Sequence, residues 1–96
     1  MLMKIFSIFD DKTKVYSKPF YDLTIGAAIR NFADASNDPN THLSKHPGDF
    51  SLFLLGEFDD ETGELFDKQP YQNLGNCLQH IQTDENLMEQ LNIPST

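Results

Sequence analysis

The segment from Phe50 to Phe58 has the pattern of one extended strand with large apolar side chains on both faces. This feature limits the possible folds more than any other feature of the sequence. Successive side chains of a strand point to opposite faces. One face holds Phe50, Leu52, Leu54 and Phe58, and the other holds Phe53 and Leu55. Residues 2–9 are also largely apolar on both faces, which predicts an inner strand covered on both sides.

Two hairpins are predicted around these strands. Residues 2–21 form the first, with a polar turn after Phe9 and with Pro19 placing the second strand at an edge or breaking it. Residues 50–67 form the second, which turns at Gly63. The segment between the hairpins predicts one amphipathic helix, capped by Asp22 or Thr24 and ended before Pro39. Its apolar stripe consists of Ile25, Ala28, Ile29, Phe32 and Ala33.

The fold class expected from this order is α+β: a mostly antiparallel sheet of two hairpins, one main helix and short C-terminal helices. Helical spacing of Leu74, Cys77, Leu78 and Ile81 predicts a helix over 73–82. A capping pattern at 83–86 predicts another that ends at Pro94. The 96 residues fit a single domain, 1–96, with residues 83–96 as a loosely attached C-terminal helix.

Charge is divided unevenly between the halves of the chain. The net charge is −8, but residues 1–48 hold six of the seven Lys and Arg residues and only five of the fifteen acids. The second half is therefore strongly acidic, and nucleic-acid binding would need a local basic patch. The single cysteine suits a reducing cytoplasm, and no apolar run reaches the ~18 residues of a membrane helix.

No constellation of residues predicts catalysis, a cofactor or a metal. His42, His46 and Asp49 fall on one loop without a recognised ligand spacing. Cys77 and His80 are three residues apart, but Cys77 shares an apolar stripe and is interpreted as a core residue. We therefore expect a protein that is not an enzyme and has no cofactor and no metal site.

The first hairpin combines lysines and aromatic rings. Lys12, Lys14 and Lys18 alternate along it with Tyr16, Phe20 and Tyr21 between and after them. Surfaces of this kind bind single-stranded nucleic acid, since lysines meet phosphates and rings stack on bases. Lysines on an edge strand also prevent aggregation, so this second interpretation remains open. The predicted site residues are Lys12, Lys14, Lys18, Tyr16 and Tyr21, helped by Lys4, Arg30 and Lys45 if the fold brings them close.

The chain resembles a known phage family in several short stretches. The run MKIFSIFD at residues 3–10 is similar to the start of the small non-structural protein of gokushoviruses, tailless microviruses (family Microviridae) with single-stranded circular DNA genomes. The similarity continues at RNF (30–32), NDP (37–39), HPGDF (46–50), GEFD (56–59) and LGN (74–76). The resemblance covers roughly residues 3–78.

This resemblance implies a protein of the host bacterial cytoplasm that is absent from the mature virion. Its family is described as DNA-binding, with a role in viral genome replication or in the switch to single-strand synthesis and packaging. No catalytic residues come with the family. Two functions remain open: a single-stranded DNA-binding module, and an interaction factor for phage replication or capsid-assembly proteins. We also expect a homodimer, because one helix cannot cover both apolar faces of the sheet.

Overall fold

The computed structural model describes residues 1–81, which form an antiparallel sheet with one main helix. The strands are β1 (Leu2–Asp10), β2 (Val15–Tyr16), β3 (Phe20–Asp22), β4 (Phe50–Asp59) and β5 (Leu65–Asn76). The helices are α1 (Ile25–Ser36) and the short α2 (His42–Lys45), and 3-10 turns cover Pro47–Asp49 and Cys77–Gln79. The expected α+β class with an antiparallel sheet is confirmed.

The two strands with apolar residues on both faces lie in the interior of the sheet. The order is β2-β1-β4-β5, and β3 also pairs with β1, beyond the end of β2. β1 is therefore hydrogen-bonded on both edges, with β4 on one side and with β2 and β3 on the other. The predicted break at Pro19 is confirmed, because the chain leaves the sheet between Tyr16 and Phe20.

Helix α1 covers one face of the sheet. Thr24 caps it, since the Thr24 Oγ1 accepts a hydrogen bond from the Ala27 N–H at 3.0 Å. The second capping candidate, Asp22, instead accepts from the side-chain amide of Asn31 at 2.9 Å. The buried core joins this helix to the sheet and to the 3-10 turn after β5, and it consists of Phe6, Leu52, Leu54, Ala28, Phe32 and Cys77.

The two faces of the sheet differ in what lies over them. The core face carries Phe6, Leu52 and Leu54 beneath α1. The open face is the opposite one and carries Ser7, Phe9 and Phe53. Within residues 1–81, α1 and α2 contribute to the core cluster, so both helices lie on the core face.

A bulge in β4 changes which residues reach the open face. Ile5 pairs with Gly56 and Phe6 with Leu54, so Leu55 is an extra residue that shifts the alternation. Phe58 consequently lies beside Tyr21 on the open face, with ring centroids 6.2 Å apart. The expectation that Phe58 shares a face with Leu54 was wrong for this reason.

The bulge has a larger counterpart in β5. Leu54 pairs with Gln72 and Gly56 pairs with Asp67, so residues 68–71 leave the ladder as an excursion. We call residues 68–71 the β5 excursion. It places four residues outside the regular strand at the outer edge of the sheet.

The helix expected over 73–82 is replaced by the end of β5 and a single 3-10 turn at Cys77–Gln79. The Asn76 side chain accepts from the Leu78 N–H at 3.0 Å, and Gln79 Oε1 accepts from the Asn76 N–H at 2.8 Å. This capping box starts the turn only after β5 has ended. The apolar residues whose spacing predicted a helix are therefore divided between the end of a strand and a turn. The predicted helix over 83–96 lies outside the described residues.

Candidate nucleic-acid interface

Four aromatic rings meet on the open face, and we call them the aromatic cluster: Phe9, Tyr16, Phe53 and Tyr71. Tyr16 lies at its centre, with ring centroids 4.7 Å from Phe9, 5.8 Å from Phe53 and 6.0 Å from Tyr71. Tyr16 remains 41% exposed and Tyr71 39% exposed. The cluster is thus packed at its base and accessible at its outer surface.

Two rings of the cluster come from opposite edges of the sheet. Tyr16 belongs to β2 and Tyr71 to β5, which are the two outermost strands along the path β2-β1-β4-β5. Their rings nevertheless contact each other across the two strands between them. Neighbouring strands are spaced ~4.8 Å apart, so both side chains must lean inward over the open face, and the β5 excursion, which takes Tyr71 out of the ladder, allows this approach.

Hydrogen bonds from Ser17 to β1, which we call the serine hook, position Tyr16. After Tyr16 the chain leaves β2, and Ser17 bonds back to β1 through three groups. Its Oγ accepts from the Ile8 N–H at 2.9 Å, its N–H donates to the Ile8 carbonyl at 2.8 Å, and its carbonyl accepts from the buried Ser7 hydroxyl at 2.7 Å. These bonds replace the missing ladder and hold Tyr16 opposite Phe9.

The three hairpin lysines are exposed on the hairpin that carries Tyr16. Lys12 and Lys14 belong to the turn between β1 and β2, and Lys18 follows the serine hook. The Lys14 Nζ lies 2.8 Å from the Asp11 carboxylate, and this contact lowers the pKa of Asp11. Among the described ion pairs neither Lys12 nor Lys18 has a carboxylate partner, which leaves their ammonium groups available to an anion.

The structure separates the other predicted basic residues from the open face. Lys4 alternates with Phe6 on the core-face side of β1, and its Nζ lies 3.5 Å from the Glu57 carboxylate. Arg30 is exposed on α1, which packs against the core face. Lys45 ends α2, whose Leu43 packs against the core. Tyr21 does reach the open face, opposite Ile5 and half exposed.

Phe20, which follows the lysines in the sequence and was not among the predicted site residues, packs against the core. It pairs with Phe6 across β1 and β3 and stacks on that ring at 5.7 Å. Phe20 and Tyr21 therefore point to opposite faces, as neighbours in a strand must.

The acidic turn of the second hairpin is remote from the lysines. Asp10 at one end of β1 pairs with Phe50, and Leu2 at the other end pairs with Asp59, so the two hairpin turns lie at opposite ends of the sheet. At ~3.3 Å per residue the nine residues of β1 separate the turns by about 25–30 Å. This exceeds the screening length of ~8 Å at physiological salt, so the acidic turn repels a DNA strand at the lysines only weakly.

His42 and His46 are exposed, whereas Cys77 and His80 pack against the core. His42, His46 and Asp49 line a depression of about 470 Å³ together with Lys12, and no set of three ligating groups among residues 1–81 could hold a metal. Cys77 is fully buried in the core, as interpreted from its stripe, and this burial raises the pKa of its thiol. His80 packs edge-on against Phe32, with ring centroids 5.7 Å apart.

Three members of the aromatic cluster were not among the predicted site residues: Phe9, Phe53 and Tyr71. The alternation of β1 and β4 already places Phe9 and Phe53 away from the core face, and that signal could have identified them. Tyr71 had no comparable signal, because its position depends on the β5 excursion.

The described part of the chain contains no helix long and apolar enough to cross a membrane. A family model described as Phage ORF5 protein matches residues 3–80. No curated protein and no solved structure matches the chain.

Proposed function

Because this chain belongs to the Phage ORF5 protein family, and is therefore a phage protein, we propose that it binds single-stranded DNA through the open face of its sheet. Its role would be that of a non-structural protein in viral genome replication or in the switch to single-strand synthesis and packaging. This finer assignment rests on the resemblance to the gokushovirus protein, made in the host cytoplasm and absent from the mature virion. It is a binding role without catalysis or a cofactor.

The observation that carries this proposal is the accessible aromatic cluster on the hairpin that also carries the exposed Lys12 and Lys18. Rings that are accessible on one side can stack on unpaired bases, and each base stacked on a ring contributes ~1–3 kcal/mol. Lys12 and Lys18 can contact the phosphates on either side of those bases. A double helix keeps its bases stacked internally, so the same surface favours single strands.

The proposal is tested by fluorescence anisotropy with labelled single- and double-stranded oligonucleotides across a salt series. Two phosphate contacts, from Lys12 and Lys18, would give a log–log salt slope of about −1.4. We expect weak binding with little base preference, since backbone charge and ring faces carry little sequence information. Absence of any anisotropy change at low salt with the single strand would refute the proposal.

A matched pair of variants locates the site. Lys18→Glu and Arg30→Glu make the same charge change at exposed positions, but Lys18 adjoins the open face and Arg30 lies on α1. We expect Lys18→Glu to weaken binding and flatten the salt slope, while Arg30→Glu stays close to the unsubstituted protein. The triple change of Lys12, Lys14 and Lys18 to Glu should abolish binding with unchanged circular dichroism. Equal losses in the matched pair would place the contact elsewhere.

A second candidate function is an interaction factor for phage replication or capsid-assembly proteins, or for a second copy of this chain. The observation in its favour is the exposure of large apolar side chains on β5, where Leu65 is 70% and Phe66 46% exposed. A homodimer closed over the open face would cover Tyr16. Sedimentation at micromolar concentration, with and without oligonucleotide, separates the two: a dimer that DNA does not dissociate, and no DNA binding, would favour this second function.

A further inference from the structure

We propose that a second groove on the open face is a base-binding slot, so that one DNA strand occupies both this slot and the aromatic cluster. The groove has a volume of about 350 Å³, at the lower end of the range of small-ligand sites. Tyr21 forms part of one wall, Leu65 and Tyr71 form part of the other, and Ile5 and Leu55 lie between them. The ring of Phe66 lies on the opposite side of β5, because Phe66 pairs with Glu57, whose side chain meets Lys4 on the core-face side. This inference rests on the proposed function.

The bulge at Leu55 in β4 and the β5 excursion build the slot. The extra residue Leu55 in β4 turns the strand locally, and the β5 excursion moves Tyr71 out of the ladder toward Tyr16. On the other edge, Pro19 breaks the strand so that Tyr21 faces the same space from β3. The groove therefore exists only because both outer edges of the sheet depart from regular pairing.

The slot is continuous with the aromatic cluster. Tyr71 contributes to both, as a ring contact of Tyr16 and as a wall of the groove. Ile5 and Phe9 are four residues apart on β1, which places the two sites roughly 13 Å from each other along the strand. A short single strand can span that distance, and its successive bases would meet first one set of rings and then the other.

Aromatic walls and flanking lysines favour a nucleobase over an apolar peptide as the occupant. Tyr21 is 50% exposed and Tyr71 39% exposed, so their ring surfaces are open to a planar partner. Lys18 directly precedes Pro19 on one wall, and the exposed Lys68 lies in the β5 excursion beside the other. The one carboxylate at the rim, that of Asp67, accepts a hydrogen bond from the Gln69 side chain at 3.4 Å.

A single-tryptophan probe tests the slot directly, because the chain contains no Trp. In the full chain, Tyr21→Trp places an indole in the wall of the groove, and Leu65→Trp is a second probe at a more exposed position of the same groove. Leu78→Trp is the control, at a 61% exposed position in the 3-10 turn after β5. A short unlabelled oligothymidylate is titrated against each variant, and anisotropy with the labelled oligonucleotide is measured in parallel.

We expect the oligothymidylate to quench most of the emission of the two groove probes and to leave the Leu78→Trp emission unchanged. Tyr21→Ala should weaken binding about 5- to 150-fold, the loss equivalent to one stacked base. An anisotropy increase without quenching at either groove probe would overturn the slot and leave the proposed function intact. Absence of binding by anisotropy would overturn both. Groove-probe emission that changes with protein concentration but not with oligonucleotide would assign the groove to a second copy of this chain.

Discussion

Replacing Gly56 by Ala is expected to destabilise the protein strongly, and the reason is the close approach of β5. A Cβ atom at Gly56 would overlap the Phe66 carbonyl oxygen, which belongs to the backbone of the neighbouring strand. The backbone has to shift to relieve this overlap, because no flexible side chain is involved. This close approach lies at the point where the β4 bulge meets the β5 excursion.

The magnitude follows from the cost of overpacking. Inserting one methyl group into tightly packed surroundings costs ~1–3 kcal/mol. In a domain of this size each kcal/mol lowers the melting temperature by ~4–8 °C, so the expected decrease is about 4–24 °C. Far-UV circular dichroism during heating measures it.

The matched control is Gly26→Ala in the first turn of α1. No atom lies within 4 Å of a Cβ at this position, and Ala is favoured over Gly in a helix by up to ~1 kcal/mol. We expect the melting temperature to rise by up to ~8 °C. The two identical substitutions should therefore shift stability in opposite directions. A Gly56→Ala protein that melts at or above the unsubstituted protein would refute the described approach of β4 and β5.

Three further outcomes are expected. Asp11→Asn should release Lys14 from its 2.8 Å ion pair, strengthen single-stranded DNA binding and steepen the salt slope by ~0.7 for one added phosphate contact; an unchanged slope would contradict this. Cys77 should react with a thiol reagent only as fast as the protein unfolds, because its side chain is fully buried and its pKa is raised; fast labelling of the native protein would show otherwise. The hydrogen bond from the Glu61 N–H lowers the pKa of the Asp59 carboxylate. The carboxylate therefore stabilises the fold at pH values above the ordinary aspartate pKa of ~3.9, and this contribution is lost as the pH falls through the lowered pKa. Urea unfolding of Asp59→Asn should therefore differ from the unsubstituted protein at pH 6 and converge with it in strong acid; a constant difference would exclude the linkage.

The elements of the sheet and the main helix were determined by local features of the sequence. Alternation of apolar residues identifies the strands around Phe6 and Leu52, and helical spacing together with the cap at Thr24 identifies α1. These signals are local because the period of the side chains is set by the backbone geometry of each element. Interior positions for β1 and β4 followed from the same patterns.

The site required the tertiary structure. Lys12, Lys14, Lys18, Tyr16 and Tyr21 were available from the sequence, since they belong to one hairpin. The sequence did not reveal which of the other basic residues lie near them, because this depends on which face of the sheet α1 covers.

The aromatic cluster and the slot depend on register. One extra residue at Leu55 exchanges the faces of every later side chain in β4 and moves Phe58 to the open face. The β5 excursion brings Tyr71 to Tyr16 from the opposite edge of the sheet. A bulge is decided by the pairing of two strands and by the space at Gly56, so the sequence of one strand does not reveal it.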